Sequence, residues 1–376
     1  MQTIRRTLLF LLVFLLAFSF SSIAEQNTTS LEGLVVQSEE KLVYATGFSI
    51  THYQSGFASF TLDAHPNQVF LLVPEGQLPP EGLSENVVVL RQPMGHITFN
   101  STGMVSLVDA IGGLDHIASV GTDLKGWYLD NVITKMKAGE ISFSGNYKAP
   151  DFETLTKAGV QLVIDTVRLA ENPEVIAKYD ELGIPWMIES SSKEGHPLGR
   201  VEWVKLFGTL IGMKEESDRY FSQQAEKVAQ VKSADATGKT VAMVYMSSDG
   251  SKVFCRNGGD YMASMINLAG GEYIMKDLEP GKTGTTSVTM EAFYAACKDA
   301  DYLFYVNHVQ KFKTLEDMVA FNPLFADLKA VKEGQVYITS PDFSQSTAAI
   351  AGIIADMHAV LSNASIESTH ALNKLQ

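Results

Sequence analysis

Three features predict an α/β fold in two lobes, each with a mainly parallel sheet flanked by helices, the lobes joined by one long connecting helix. From Ile97 short apolar strands alternate with helices, and the same rhythm resumes after Gly238. Between these stretches, residues 199–234 carry no strand signal. Two helix starts lying 138 residues apart also carry the same acidic residue. Pro150-Asp151-Phe152-Glu153 leads into the apolar run Leu162-Val163-Ile164, and Val288-Thr289-Met290-Glu291 leads into Tyr302-Leu303-Phe304-Tyr305. Strands that alternate with helices pack as a parallel sheet with both faces covered. A Glu in a first helical turn is ordinary by itself, because the helix dipole favours it. Two of them at the same position of two similar units suggest two lobes, each offering one carboxylate to a common partner.

The elements follow in order. Arg5 and Arg6 precede an apolar run over residues 8–20, and Ser22-Ile23-Ala24 places small residues where a signal peptidase reads. Residues 1–24 are therefore expected to be a cleaved signal peptide and the mature protein to be periplasmic. The run falls short of the roughly 20 residues that span a bilayer, and no Cys at the cut invites a lipid anchor. Residues 41–90 read as an extra antiparallel β segment: Tyr44, Thr46, Phe48 and Ile50 alternate, Ser55-Gly56 offers a turn, and residues 57–62 and 69–73 are further short strands.

Ile97-Thr98-Phe99 is then a strand, 104–111 a helix closed by Gly112-Gly113, and 117–120, 141–143, 161–164 and 186–188 are further strands. A helix over 173–182 ends at Gly183. In the connector, Val201, Val204, Phe207 and Leu210-Ile211 form one amphipathic stripe, Gly212 interrupts it, and a second helix of about 19 residues spans roughly 28 Å. The second lobe follows with strands at 241–245, 302–306 and 336–338 and helices at 261–269 and 347–361. The expected domains are a first lobe over 38–198 including the β decoration, a connector over 199–234 and a second lobe over 238–365.

Composition narrows the function. The formal charge of −14 becomes −16 once Arg5 and Arg6 are lost, which argues against nucleic acid and anionic membrane as partners. The eight histidines include no His-Glu-x-x-His and no close pair, no Gly-x-Ser-x-Gly elbow is present, and Gly258-Gly259 and Gly270-Gly271 lack the P-loop Lys and the dinucleotide spacing. An enzyme is not expected, although an extracytoplasmic enzyme or a sensor module is the rival class. Cys255 and Cys297 are the only cysteines, and whether they pair is left open.

The order and spacing of several motifs resemble the substrate-binding proteins of ABC importers for iron-siderophores, haem and cobalamin, the type with a helical backbone between lobes. They are Met104-Val105-Ser106-Leu107 through Ile111-Gly112-Gly113-Leu114-Asp115-His116-Ile117, Gly145 with Pro150-Asp151-Phe152-Glu153, Leu182-Gly183-Ile184-Pro185, Met265-Ile266-Asn267-Leu268-Ala269-Gly270-Gly271 and Gly334-Gln335-Val336-Tyr337. The resemblance covers roughly residues 95–362. It implies a monomer that delivers an iron chelate or a related metal-tetrapyrrole to an ABC permease, with Glu153 and Glu291 docking against permease arginines. No resident cofactor is implied; the cargo is an iron complex or a corrinoid. The β segment and the stretch His196-Pro197-Leu198-Gly199-Arg200-Val201-Glu202-Trp203 depart from the smallest members.

Ligand residues are expected at the carboxyl ends of strands, where the loops of both lobes meet in a cleft. This nominates Trp127, Tyr147 and Arg168 in the first lobe and Tyr245, Arg256 and His308 in the second. Aromatic walls with two guanidinium groups suit a bulky anionic metal chelate. Two readings stand for His196 and Arg200: an ion-paired support for the connector with Glu202, or direct reach to the ligand. No metal ligand in the protein is assigned.

Overall fold

The computed structural model describes residues 31, 33–363 and 371–376. The expected signal peptide and the expected boundary at 365 lie outside the described residues. The first lobe holds five parallel strands in the order Trp186–Glu189, Leu162–Thr166, Ile97–Phe99, Ile117–Val120, Ser142–Phe143. Its inner strand Leu162–Thr166 opens on an unbroken apolar run because both faces are covered: Leu162, Val163 and Ile164 are fully buried.

The second sheet runs Thr285–Val288, Val253–Arg256, Thr240–Met246, Tyr302–Tyr305, Val336–Thr339, Leu372–Lys374, with Glu272–Tyr273 beside Thr240–Met246. Its centre is parallel, as expected, but three pairings toward its edges are antiparallel. The last strand carries this lobe beyond residue 365. The antiparallel strands Val253–Arg256 and Thr285–Val288 on one side of this sheet have no counterpart among the sequence expectations.

The N-terminal segment forms a separate sheet of Val36–Glu39, Phe48–Tyr53, Ala58–Leu62, Val69–Val73 and Val87–Arg91. Two expectations are corrected here. The sheet starts before residue 41, and its last pair, Val69–Val73 with Val87–Arg91, is parallel. The loop rich in Pro and Gly between those two strands is long enough to cross over rather than turn back. Alternation puts Phe48, Ile50, Phe60 and Phe70 into the main core, while Tyr53, Phe57, Leu71 and Val73 build a small second core on the other face.

This sheet explains the connector. The structure divides it into helices Pro197–Glu202, Val204–Leu210 and Lys214–Lys232. The expected amphipathic stripe of the first part is instead buried nearly all round: Val204, Leu206, Phe207, Gly208, Thr209 and Leu210 are all inside. Trp203 packs on Phe48 of the N-terminal sheet (4.8 Å between ring centres), and Phe207 packs on Phe99 of the first-lobe sheet (5.4 Å). A helix with protein on both sides has no polar face to show. The 19-residue helix Lys214–Lys232 is as long as expected and buries only Ser217, Phe221 and Val228, packing on Val204–Leu210 and on the second-lobe helix Ile350–Leu361.

Two buried carboxylates fasten the N-terminal sheet to the connector. Glu202, fully buried, accepts the backbone N–H groups of Val43 (3.0 Å), Tyr44 (2.8 Å) and Ala45 (2.8 Å). Glu194 accepts the N–H groups of Thr46 and Gly47 (3.0 Å each) and the Trp203 indole N–H (3.1 Å). Gly47 is needed here, since a Cβ would stand 2.6 Å from Ser190 Oγ and 2.9 Å from the Trp203 ring. The expected ion pair of His196 and Arg200 with Glu202 is therefore not formed. Glu202 is occupied by backbone donors and by Lys205 at 3.5 Å, and His196 accepts the Leu198 N–H (3.1 Å) while its ring stacks on Tyr44 at 4.4 Å. Cys255 and Cys297 are both free and buried, and burial pushes the Cys255 thiol up to about 12.

Candidate functional site

Several contacts join the lobes. Gln345, after the second-lobe strands, accepts the Tyr128 N–H (3.0 Å) and donates to Gly126 O (2.7 Å). Ala348 N–H donates to Ser106 Oγ (3.1 Å). The Arg200 guanidinium lies over the Tyr261 ring at 4.3 Å, from the connector onto the first helix of the second lobe.

Beside Arg200, at the carboxyl ends of the first-lobe strands, opens a cavity of about 350 Å³. Asn100 follows the strand Ile97–Phe99, Glu189 ends Trp186–Glu189, and Thr166 ends Leu162–Thr166, so consecutive strands each deliver one polar group to the same floor. Tyr147 and Arg168 stand at the wall. Arg168 Nη1 donates to the Tyr147 hydroxyl (3.4 Å), and its guanidinium sits 5.8 Å from the ring centre. Tyr147 is carried there by a tight turn in which Gly145 has φ +77°, a conformation a side chain would strain.

The floor is charged and enclosed. Glu189 is 2% exposed and accepts the Ser191 N–H at 2.8 Å. Behind it Asp165 is fully buried, accepting from Asn100 Nδ2 (2.5 Å) and Thr166 N–H (2.7 Å). Burial pushes the Asp165 carboxyl up to about 6, against the pull of those two hydrogen bonds and with the help of nearby Glu189. Arg200 Nη1 donates to Ser191 O (3.2 Å), while its buried Nε–H has no partner among the described residues. The cavity thus offers hydroxyls, an amide, a carboxylate and two guanidinium groups, a set for a polar, hydrogen-bonding ligand.

The second lobe supplies a matching cluster. Tyr245 and its cross-strand partner Phe254 stack at 4.7 Å with planes 9° apart. His308 meets the Tyr245 ring edge at 4.8 Å, and the Arg256 guanidinium lies 5.9 Å from it. Arg256, like Arg200, keeps a buried Nε–H without a partner among the described residues. No group of three His, Cys, Asp or Glu side chains suited to a metal ion occurs among the described residues.

Five of the six expected ligand residues fall into these two clusters: Tyr147 with Arg168, and Tyr245 with Arg256 and His308. Trp127 does not. It is 4% exposed in the main core, with its indole N–H donating to Thr122 O at 2.9 Å, so it has neither a free face nor a free donor. Sequence reasoning missed Asn100, Glu189 and Phe254. The first two were within reach, as each directly ends or follows an expected strand; Phe254 lies on the antiparallel strand Val253–Arg256, which has no counterpart among the expectations.

Glu153 and Glu291 occupy identical helical positions. Helix Phe152–Lys157 starts after Asp151, which caps it by accepting the Thr154 N–H (3.0 Å), and helix Met290–Cys297 starts after Thr289, which accepts the Ala292 N–H (3.2 Å). Each glutamate is the second residue of its helix, and both are exposed without an ion partner among the described residues.

The periplasmic binding protein family model matches residues 101–343, which leaves the N-terminal sheet outside the match. The chain is 30% identical over 276 residues to the uncharacterized lipoprotein MJ0878 of Methanocaldococcus jannaschii, covering 70% of this chain and 64% of that relative's length. A second lipoprotein of the same organism, MJ0872, is 25% identical over 336 residues, 85% of this chain and 83% of its own. Among solved structures, a periplasmic heme-binding protein of Pseudomonas aeruginosa superimposes with a TM-score of 0.57 at 16% identity, over 75% of this chain and 98% of its own. The periplasmic vitamin B12-binding protein of Vibrio cholerae gives 0.50 at 17%, over 72% and 98%. At these identities the two structures show a shared fold.

Proposed function

This chain belongs to the periplasmic binding protein family, and from that premise we propose that it binds an anionic iron chelate of the siderophore type outside the cytoplasm and hands it to an ABC permease. Proteins of this family are non-catalytic binders that work with such permeases. The observation that carries the cargo reading is the pairing of an aromatic ring with a guanidinium in each lobe, Tyr147 with Arg168 and Tyr245 with Arg256. Rings give stacking area to a chelate's ligands, and guanidinium groups pair with its carboxylate or phenolate oxygens.

The printed ligands of the structural relatives, heme and vitamin B12, mark the neighbouring possibilities. The polar floor of the cavity favours a hydrophilic chelate over a flat porphyrin, whose faces need apolar walls. The ligand is bound without catalysis, and the metal is held by its own chelator rather than by protein side chains. Glu153 and Glu291 dock the closed protein onto permease cations as a monomer, and residues 1–24 are removed after export. The test is a titration of purified protein with ferric siderophores, haem, cobalamin and free metals. Binding confined to an uncharged, metal-free solute would overturn the cargo while leaving the family role intact.

A further inference from the structure

The N-terminal sheet does not merely brace the connector; it closes a second cavity against the first lobe. This cavity, about 250 Å³, lies between the loops at Thr46-Gly47 and Asp63-Ala64 of the sheet and the turn Ser190–Glu194. It shares Val167 with the main cavity, and the residues of that turn alternate between the two: Glu189, Ser191 and Ser192 face the main one, and Ser190, Lys193 and Glu194 face the second. The two spaces are therefore separated by one side chain and one turn of backbone.

The walls of the second cavity are held in place. Asp63 N–H donates to Gly47 O (3.0 Å), and the Glu194 carboxylate is saturated by Thr46, Gly47 and Trp203. What remains free is chemically specific. The Lys193 ammonium and the Asp63 carboxylate are both exposed, and neither has an ion partner among the described residues. At roughly 30 Å³ per water, the space takes about eight waters or a small polar group of similar size.

We infer that this cavity is an outer subsite, built by the N-terminal sheet, for a peripheral arm of the chelate that carries a carboxylate next to a hydroxyl or ammonium donor. Lys193 pairs with the carboxylate and Asp63 accepts from the neighbouring donor. The inference rests on the cargo reading above and deepens it: Tyr147, Arg168 and Arg200 hold the core of the ligand, and the extra sheet selects among chelates by their arms. The sheet lies outside the residues 101–343 that match the family model, so the selectivity is added to the part of the chain that the family shares.

The test uses ferric citrate, whose ligands keep spare carboxylates while their hydroxyls are bound to iron as alkoxides, and a ferric tris-catecholate, which carries no carboxylate. Affinities are measured for the wild type, Lys193→Ala, Lys193→Glu and Asp63→Asn. These sites are exposed, so unchanged thermal midpoints are expected and are measured alongside. Loss of one charge-assisted contact predicts about tenfold to a hundredfold weaker ferric citrate binding in both Lys193 variants, while Asp63→Asn, which loses no donor of this probe, does not weaken it and tris-catecholate affinity moves less than about twofold wherever it binds. Ferric citrate binding that survives both Lys193 substitutions within about twofold overturns the subsite and leaves the cargo reading standing. Binding of the tris-catecholate alone has the same meaning. A wild-type protein that binds neither complex overturns both.

Discussion

Replacing Glu202 by Ala removes the acceptor for three backbone donors at once, and the cost follows from where those donors lie. The Ala45 N–H is buried and would be left unpaired, which costs about 1–3 kcal/mol. The Val43 and Tyr44 N–H groups are only partly buried, so water recovers much of their loss. Lys205 is not orphaned, because Glu40 holds it at 3.1 Å. The total expected is about 3 kcal/mol, at the low end of the range for breaking a buried charged contact. Glu202→Gln keeps one carbonyl oxygen and is expected to cost about half as much. Exposed, unpartnered Glu153→Ala is the control and should stay within about 0.5 kcal/mol. Urea unfolding gives the free energies, and hydrogen exchange at residues 43–45 locates the damage. If Glu202→Ala matched the control, or if the Ala45 amide exchanged no faster, the carboxylate would not be what holds the N-terminal sheet to the connector.

Further outcomes are predicted. Asp165 has its carboxyl raised from 3.8 to about 6, so the folded protein binds the proton more tightly; this group adds nothing unfavourable below pH 4, and its destabilisation develops as pH rises to about 6. Asp165→Asn should therefore remove roughly 3 kcal/mol of stability loss between pH 4 and pH 7 relative to wild type, read by urea unfolding at both pH values. An identical pH dependence in the two proteins would exclude it. His65 behaves oppositely. Burial lowers it from 6.5 to about 4, and its Nε2 accepts the Ile188 N–H (3.0 Å), linking the N-terminal sheet to the first lobe. Its contribution is complete above pH 6.5 and is lost as pH falls toward 4, so His65→Gln should flatten the acid limb of the stability curve. Glu153→Arg or Glu291→Arg should leave ligand affinity unchanged, since both carboxylates are exposed, yet abolish uptake through the cognate permease by setting like charges across the docking surface. Uptake at the normal rate by the double reversal would reduce both residues to ordinary helix-start glutamates.

What the sequence disclosed was the part of the structure set by local pattern. The apolar run at Leu162 to Ile164 and the aromatic strand Tyr302–Tyr305 could be read because parallel strands buried on both faces show no alternation. The 19-residue helix could be read from its spacing, and the glutamates at 153 and 291 from the cap and strand around each. What stayed hidden depends on contacts distant in sequence. Nothing near Trp127 says that its ring will be packed into the main core, among residues from both lobes and the connector. Nothing near Glu202 shows that residues 43–45, more than 150 positions earlier, will fill its carboxylate. Phe254 could not be placed beside Tyr245 until the antiparallel edge was known. The spacing of Val201, Val204, Phe207 and Leu210 reads as amphipathic because nothing in it shows that the N-terminal sheet covers the outer side of the helix.

The measurement closest to the central claim is calorimetric titration of ferric chelates into the wild type and into Arg168→Ala and Arg256→Ala. Each variant removes one guanidinium from one lobe. The account predicts one tightly bound anionic chelate per protein, weakened in each variant by about 1.5–3 kcal/mol, the range for hydrogen bonds to charged groups. A chelate bound equally well by the wild type and both variants would contradict it, because the two ring and guanidinium pairs would then have no part in holding the cargo.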